Sequence, residues 1–400
     1  MDIFADMKSD IQGQNLLARR IETARFGPFT FQLGLALPEF ETLLLRVGDA
    51  HDRFRGSPLS QVADRLEKEV VVSSIFGTNS IEGGTLSEHE TQLALELDPT
   101  KVRDIEQCRA VNLKIAYDLS RAAADTKTWQ LNVEFIRRVH AAITDQLPHP
   151  YNRPGMLRDN TKDVVTYVGD EAHGGRYKPP QYGKDLQLLL DALVQWHNAL
   201  QDQKVPVLIR APLVHLYFEL IHPFWDGNGR VGRVLEATLL QAEGFRYAPF
   251  AQARYYLKHI DAYFTLFNTC RKQAEKKTSQ PNAAFVKFFL EGMLVGINAL
   301  HDRVNSLIGI LVFESQLKHA RDTKAINARQ YAIATQVLNA GAAIPLAELR
   351  KAPWYTAMYE RRTDKTRQRD LVGLREKQLV IVDRQNRVWP GCITPEKEHE

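Results

Sequence analysis

Apolar side chains recur three, four and seven residues apart over most of the chain, the period of a helix with one buried face. The clearest stripe is Leu213, Leu216, Tyr217 and Leu220, and Val231, Val234, Leu235, Thr238 and Leu239 repeat it after a short polar loop. The same period predicts helices over 38–47, 106–123, 132–146, 184–201, 257–276 and 283–320, and a helix ending near Gly83 that carries Val70, Val71, Val72, Ile75 and Phe76. Two β-rich runs interrupt this pattern. Residues 163–168 and 175–178 flank Gly169 and Gly174-Gly175, which reads as a hairpin. After a basic link at 318–324 the pattern changes again, to predicted helices at 328–338, 345–351 and 363–377 followed by Leu379-Val380-Ile381-Val382, a polar turn and Arg387-Val388-Trp389. The expected fold class is mainly α.

At 400 residues the chain is long for one core. It divides into an N-terminal helical arm (1–70), a core (71–300), a helical linker (301–325) and a C-terminal unit (326–394). A net charge of +4 is too balanced to demand a nucleic acid partner. Cys108, Cys270 and Cys392 are odd in number and match no metal spacing, so they are expected as reduced thiols. The acidic start at Met1-Asp2-Ile3-Phe4-Ala5-Asp6 lacks the cations of a secretory signal, and no uninterrupted apolar stretch looks long enough to cross a bilayer. The expectation is a cytoplasmic protein with no membrane partner.

The loop between the two striped helices holds most of the chemistry: His222-Pro223-Phe224-Trp225-Asp226-Gly227-Asn228-Gly229-Arg230-Val231-Gly232-Arg233. Gly227 and Gly229 let the backbone turn tightly and let a ligand approach where a helix starts. Free N–H groups and the positive helix end there make an anion site, and Arg230 and Arg233, three apart, aim two guanidiniums at it. A phosphate chain fits. Asp226 at the edge can hold a Mg²⁺ that takes its other ligands from phosphate and water, and the His222 imidazole can take a proton from a hydroxyl. Two other readings stay open on these residues alone. His215 and His222 with Asp226 could form a metal hydrolase cluster, although seven residues is not the spacing of a helical zinc pair, and the loop could be a structural turn.

The twelve residues match without a gap the motif of the Fic family, His-x-Phe-x-Asp/Glu-Gly-Asn-Gly-Arg-x-x-Arg, which this stretch resembles throughout. The resemblance implies a helical core with a β-hairpin flap that transfers AMP from ATP to a Ser, Thr or Tyr hydroxyl of a target protein or of the chain itself. It makes His222 the general base, Phe224 the loop anchor and Asp226 the Mg²⁺ ligand. Gly227, Asn228 and Gly229 would cradle the α- and β-phosphates, Arg230 would hold the β-phosphate and Arg233 the γ-phosphate. Tyr255 and Tyr263 fall where the family builds its adenine pocket, against the plainer reading of core aromatics. Glycine at 229 favours AMP transfer, because the related Doc kinases carry lysine there.

A second stretch, Thr78-Asn79-Ser80-Ile81-Glu82-Gly83, resembles the family's inhibitory motif, with Thr78, Glu82 and Gly83 at the defining positions. A carboxylate on Arg233 would occupy the guanidinium that the γ-phosphate needs; the plain alternative is a helix end with Glu82 solvated. Val164, Val165, Thr166 and Tyr167 resemble the flap whose edge docks target backbone, and Arg158 reads as structural. Residues 366–374 resemble recognition helices of bacterial winged-helix regulators, with Arg361, Arg362, Arg367, Arg369 and Arg375 as cations, though the link between second and third helices is long for that fold. Partners implied are ATP, a target protein, DNA or a docking protein at the C-terminal unit, and a second copy of the chain. The competing function is a DNA-binding regulator whose core senses nucleotide.

Overall fold

The computed structural model describes residues 17–126, 128–160 and 164–392. The acidic start, Asp163 of the expected flap and the last two residues of the expected C-terminal unit lie outside them. The chain forms two compact units: Met1–Leu59 with Ala63–His301, and Ser60–Val62 with Asp302–Glu400.

The first unit opens with a hairpin absent from the expected arm: β1 (Arg19–Glu22) pairs antiparallel with β2 (Pro28–Phe31), Arg19 opposite Phe31. Helix α1 (Leu37–Gly56) follows, burying Phe40, Leu44, Val47 and Phe54 along one stripe. Next come α2 (Ala63–Ile81), α3 (Glu88–Ala94), α4 (Ile105–Ala124), α5 (Val133–Thr144), α6 (Gly183–Asp202), α7 (Val207–Ile221), α8 (Asn228–Ala242), α9 (Ala248–Lys258), α10 (Ile260–Glu275) and α11 (Ala283–Asp322), the last running into the second unit. Local chemistry sets several starts. Asp104 and Asn132 cap α4 and α5 by accepting N–H groups three residues on, and Ser87 with Glu90 forms a capping box on α3.

Helix α7 is apolar on every side and buried all round, with α8 packed along it. It begins at Val207, six residues before the first residue of the apolar stripe, Leu213. Burial of Val207, Leu208 and Ile209 outweighs the hydrogen bond that an internal proline removes. The predicted helix over 257–276 is instead two, α9 and α10, broken at His259. Helix α2 lies along α9, where a Cβ on Gly77 would come 3.2 Å from the Ala253 carbonyl, so glycine permits that approach.

Among the described residues, the expected hairpin at 163–178 shows a single antiparallel bridge, Val168 to Tyr177. The chain before it is held by side chains: Gln181 both accepts from the Thr166 N–H and donates to its carbonyl, and Asn160 donates to the Val164 carbonyl. Helix α11 is long and apolar enough by composition to cross a membrane, contrary to the sequence expectation. Phe285, Phe289, Met293, Ile297, Val304, Leu307 and Leu317 along it are buried in protein, which accounts for its apolar face.

In the second unit α12 (Ala328–Asn339), β3 (Ile344–Pro345), α13 (Leu346–Lys351), α14 (Pro353–Tyr359), α15 (Asp364–Glu376), β4 (Val380–Val382) and β5 (Arg387–Pro390) surround a core of Ile333, Val337, Leu349, Tyr355, Tyr359 and Leu374. The antiparallel sheet has the order β3-β5-β4. Helix α14 fills the long link noted in the sequence. Asp370 organises this core, accepting from Arg329, Asn327 and the Tyr359 hydroxyl.

Candidate active site

Helix α7 ends by turning His222 into the left-handed region (φ 50°, ψ 62°), which swings the loop back toward α8. Buried Arg158 secures the turn: its Nε donates to the His222 carbonyl at 2.7 Å, and its backbone N–H to the Pro223 carbonyl at 3.0 Å. Phe224 is fully buried and stacks flat on His140, 3.7 Å between ring centres. The Asn228 side chain accepts from the Phe224 N–H and donates to its carbonyl, closing the loop on itself. The His140 ring accepts from the Gly155 N–H through Nδ1 and donates through Nε2 to the Asp226 carbonyl at 3.1 Å. Burial pushes its pKa down to about 4, so the ring is neutral. Gly227 caps α8 at φ 78°, and a Cβ there would meet the Thr144 methyl at 3.0 Å.

At the start of α8 the two arginines are almost fully enclosed. Arg230 Nη2 contacts both carboxylate oxygens of Asp226 at 3.0 and 3.1 Å, while its Nε and Nη1 are buried without a hydrogen-bond partner. Unpaired buried guanidinium donors are costly, and a phosphate group is the ligand that satisfies them. The Asp226 carboxyl is pulled up by burial, but Arg230 and the Gly227 N–H outweigh this and hold it below its usual value. It stays one-third exposed, open to a cation. Arg233 donates to Glu82 Oε1 at 2.6 Å, to the Thr78 carbonyl at 3.3 Å and to the Tyr263 hydroxyl at 3.1 Å. Burial raises the Glu82 carboxyl, yet Arg233 and Arg230 together bring it below the usual carboxylate range.

The directions of the next bonds follow from Arg233, which can only donate. Tyr263 must donate to His215 Nε2 at 3.0 Å; His215 Nδ1 then donates to Glu236 Oε2 at 2.8 Å, and Tyr256 donates to the same carboxylate. His222 keeps its side chain about one-fifth exposed, and its buried Nδ1 faces Glu219 Oε2 at 3.7 Å. Nε2 is left for chemistry.

The structure thus gathers His222, Asp226, Gly227, Asn228, Gly229, Arg230 and Arg233 around one helix start, with Thr78 brought from α2 and Glu82 from the turn that follows it. The Thr78 hydroxyl is buried 3.4 Å from the Tyr117 hydroxyl, and Gly83 ends the helix at φ 78°. A Cβ on Gly229 would fall on the Glu82 carboxylate, so that carboxylate lies directly over the cradle. Tyr263 does not line an open pocket as expected. It is 1% exposed, stacked on Tyr256, with its hydroxyl engaged by Arg233 and His215. Tyr255 is half-buried against His259 and Phe288. Val165 and Tyr167 are exposed, and no hydrogen bond holds their backbone groups among the described residues. Sequence reasoning passed over His140, Glu219 and Glu236, although Glu219 lies three residues before His222, one helical turn away.

This arrangement defines a helical protein with two enclosed guanidiniums gathered at the start of α8. Residues 130–240 match the family model described as Fic/DOC family. A curated relative, the protein adenylyltransferase Fic of Drosophila ananassae, is 26% identical over 185 residues, covering 45% of this chain and 34% of that protein. The protein adenylyltransferase fic-1 of Caenorhabditis elegans is 24% identical over 207 residues, 51% of this chain and 38% of that protein. The chain therefore spans about a third of the length of the curated relatives it matches. Among solved structures, a Fic domain containing signaling protein from Bacteroides thetaiotaomicron aligns with TM-score 0.54 at 18% identity, over 65% of this chain and 97% of that one. A Fic family protein from Desulfovibrio desulfuricans aligns with TM-score 0.54 at 16% identity, over 92% and 98%. Both likenesses concern the fold.

Proposed function

We propose that this chain is an AMP transferase that moves AMP from ATP to a Ser, Thr or Tyr hydroxyl of a target protein or of itself, in the cytoplasm, and that Glu82 holds it inhibited. The observation that carries the activity is the pair of buried, unpartnered donors on Arg230, together with the part-exposed side chain of His222 in the loop that leads into the same helix. In this reading Gly227, Asn228, Gly229 and Arg230 hold the α- and β-phosphates, Arg233 takes the γ-phosphate, and Tyr255 borders the adenine. Asp226 would hold a Mg²⁺, which screens phosphate charge and takes its other ligands from phosphate and water. The target oxygen attacks the α-phosphorus, the bond to the bridging oxygen of pyrophosphate breaks, and the hydroxyl proton passes to His222 Nε2. Glu219 lies 3.7 Å from the buried Nδ1, too far for a hydrogen bond, and Nε2 is the nitrogen left to take the proton.

Inhibition rests on the 2.6 Å contact between Glu82 and Arg233. With the guanidinium engaged, a γ-phosphate must go elsewhere, and the α-phosphate loses its alignment with the attacking hydroxyl. The names of the relatives, protein adenylyltransferases, support the transferase part of this reading. Labelled ATP added to a cell lysate with the Glu82→Gly protein is expected to mark a discrete protein, identified by mass, and adding His222→Ala is expected to abolish the mark. Equal marking by both proteins would remove His222 from the chemistry.

A second role has its own support. The order of helices and strands in 328–390, with β3 against β5, fits a winged helix whose third helix is α15. Arg361, Arg362, Arg369 and Arg375 are exposed, whereas Arg367 is partly occupied by Asp364 and the Tyr359 ring. We read this face as a contact for DNA phosphates; a docking protein or a second copy of the chain is the competing occupant.

A further inference from the structure

Beside the flap, within the first unit, is a half-open cavity of about 390 Å³ lined by Arg25, Phe26, Asn160, Lys178, Gln181 and Tyr182. Two of its wall residues are the ones that hold the flap: Gln181 pairs with the Thr166 backbone, and Asn160 takes the Val164 carbonyl and the Thr166 hydroxyl. Asn160 also accepts from Arg158, whose Nε holds the His222 carbonyl. The cavity is therefore tied by two consecutive side-chain links to the catalytic loop.

The opposite wall is a fixed turn. Asp185, buried at the start of α6, accepts the backbone N–H groups of Ala24, Arg25 and Phe26, each at 3.0 to 3.1 Å, and Thr23 Oγ1 closes the turn on the Gly27 carbonyl. This pins the β1–β2 turn and presents its side chains outward. The Arg25 guanidinium lies 4.1 Å over the Tyr182 ring. The nearby carboxylates are already engaged by backbone: Asp185 by the three N–H groups, Asp159 by the Gly183 N–H. Neither Arg25 nor Lys178 has a carboxylate in ion-pair range among the described residues, so the cavity holds two cations without an internal counter-ion. An aromatic floor and two such cations select a carboxylate on an extended strand.

We propose that this cavity is a specificity subsite that takes an acidic side chain of the target segment docked on the flap. The inference rests on the transferase reading of the site. Free backbone groups at Val165 and Tyr167 give a grip independent of side chains, so sequence selection must come from pockets beside that edge, and this cavity is joined to it directly. Arg25 and Lys178 each reach the incoming carboxylate, and an aromatic or aliphatic stem lies against Phe26 and Tyr182.

The test uses the full chain carrying Glu82→Gly and fluorescein-labelled nine-residue peptides with a central tyrosine, serine or threonine. Each flanking position carries Glu, Lys or Ala in turn, and binding is measured by polarisation without ATP. At one flanking position Glu is expected to bind about tenfold or more tighter than Lys, the scale of one charge-assisted hydrogen bond. The double charge reversal Arg25→Glu with Lys178→Glu is expected to invert that preference, an outcome that misfolding cannot produce. Indifference to charge at every position, or no binding of any peptide, overturns the subsite. Protein labelling in a lysate is read separately: labelling with charge-blind peptide binding sinks the subsite and leaves the transferase standing, and charge-selective binding without labelling does the reverse.

Discussion

Removing the Glu82 carboxylate should tighten ATP binding and leave ADP almost untouched. Arg233 is 3% exposed at its side chain and makes its shortest contact, 2.6 Å, with Glu82; its bonds to Tyr263 and Thr78 are longer, at 3.1 and 3.3 Å. A hydrogen bond to a charged group contributes about 1.5 to 3 kcal/mol. In the wild-type chain a γ-phosphate must displace that bond; in Glu82→Gly it need not. The gain converts to about 10- to 150-fold in ATP affinity at 1.4 kcal/mol per factor of ten. ADP lacks the γ-phosphate and never competes for Arg233. Calorimetric titration with Mg²⁺ present, on a His222→Ala background to prevent turnover, measures both nucleotides. Adding Arg233→Ala should cancel the ATP gain, because the carboxylate acts only through its partner. An equal gain for ADP would show that Glu82 merely blocks the cradle by bulk, and no gain for either would show that the contact does not govern nucleotide binding. The pair also sets a pH limit. Because the folded Glu82 carboxyl lies below its ordinary value, the contact is complete above that value and is lost only as pH falls through the depressed one.

Two further outcomes follow from the structure. His140 is held neutral with its pKa near 4 against an ordinary 6.5, so its contribution to stability is complete above pH 6.5 and is lost as pH falls toward 4, by about 3 kcal/mol; denaturant unfolding of His140→Gln should show a shallower loss over that range, and an unchanged pH slope would contradict the assignment. At the C-terminal unit, duplex DNA binding should weaken steeply with salt, with Arg369→Ala and Arg375→Ala together flattening that slope; no salt-sensitive binding to any duplex would assign the face to a protein contact.

The loop at 222–233 was legible because its candidate chemistry is compressed into twelve consecutive residues, and the helices around it because long apolar stripes survive tertiary context. What holds the loop was not. His140 and Arg158 reach it from 84 and 64 residues before Phe224 and His222, and a histidine on an apolar helix face gives no sign of the ring it will stack on. Tyr263 shows the same limit: its position suggested a ligand wall, but aromatic neighbours on α7, α9 and α10 enclose it, and its hydroxyl is engaged by Arg233. The β1–β2 hairpin was missed because four-residue strands carry too little alternation. The flap was over-called as strands, since Gln181 and Asn160 side chains take backbone partners that a second strand would supply.

The central claim, that His222 acts on an α-phosphate which Glu82 keeps misaligned, is tested most directly by intact-mass measurement after incubation with ATP and Mg²⁺. Wild type should gain little mass, Glu82→Gly should gain the mass of AMP on its own hydroxyls at well over ten times the wild-type rate, a barrier change of about 1.4 kcal/mol or more, and Glu82→Gly with His222→Ala should fall back by about 10² to 10⁴. Equal modification of wild type and Glu82→Gly, or undiminished modification without His222, would contradict it.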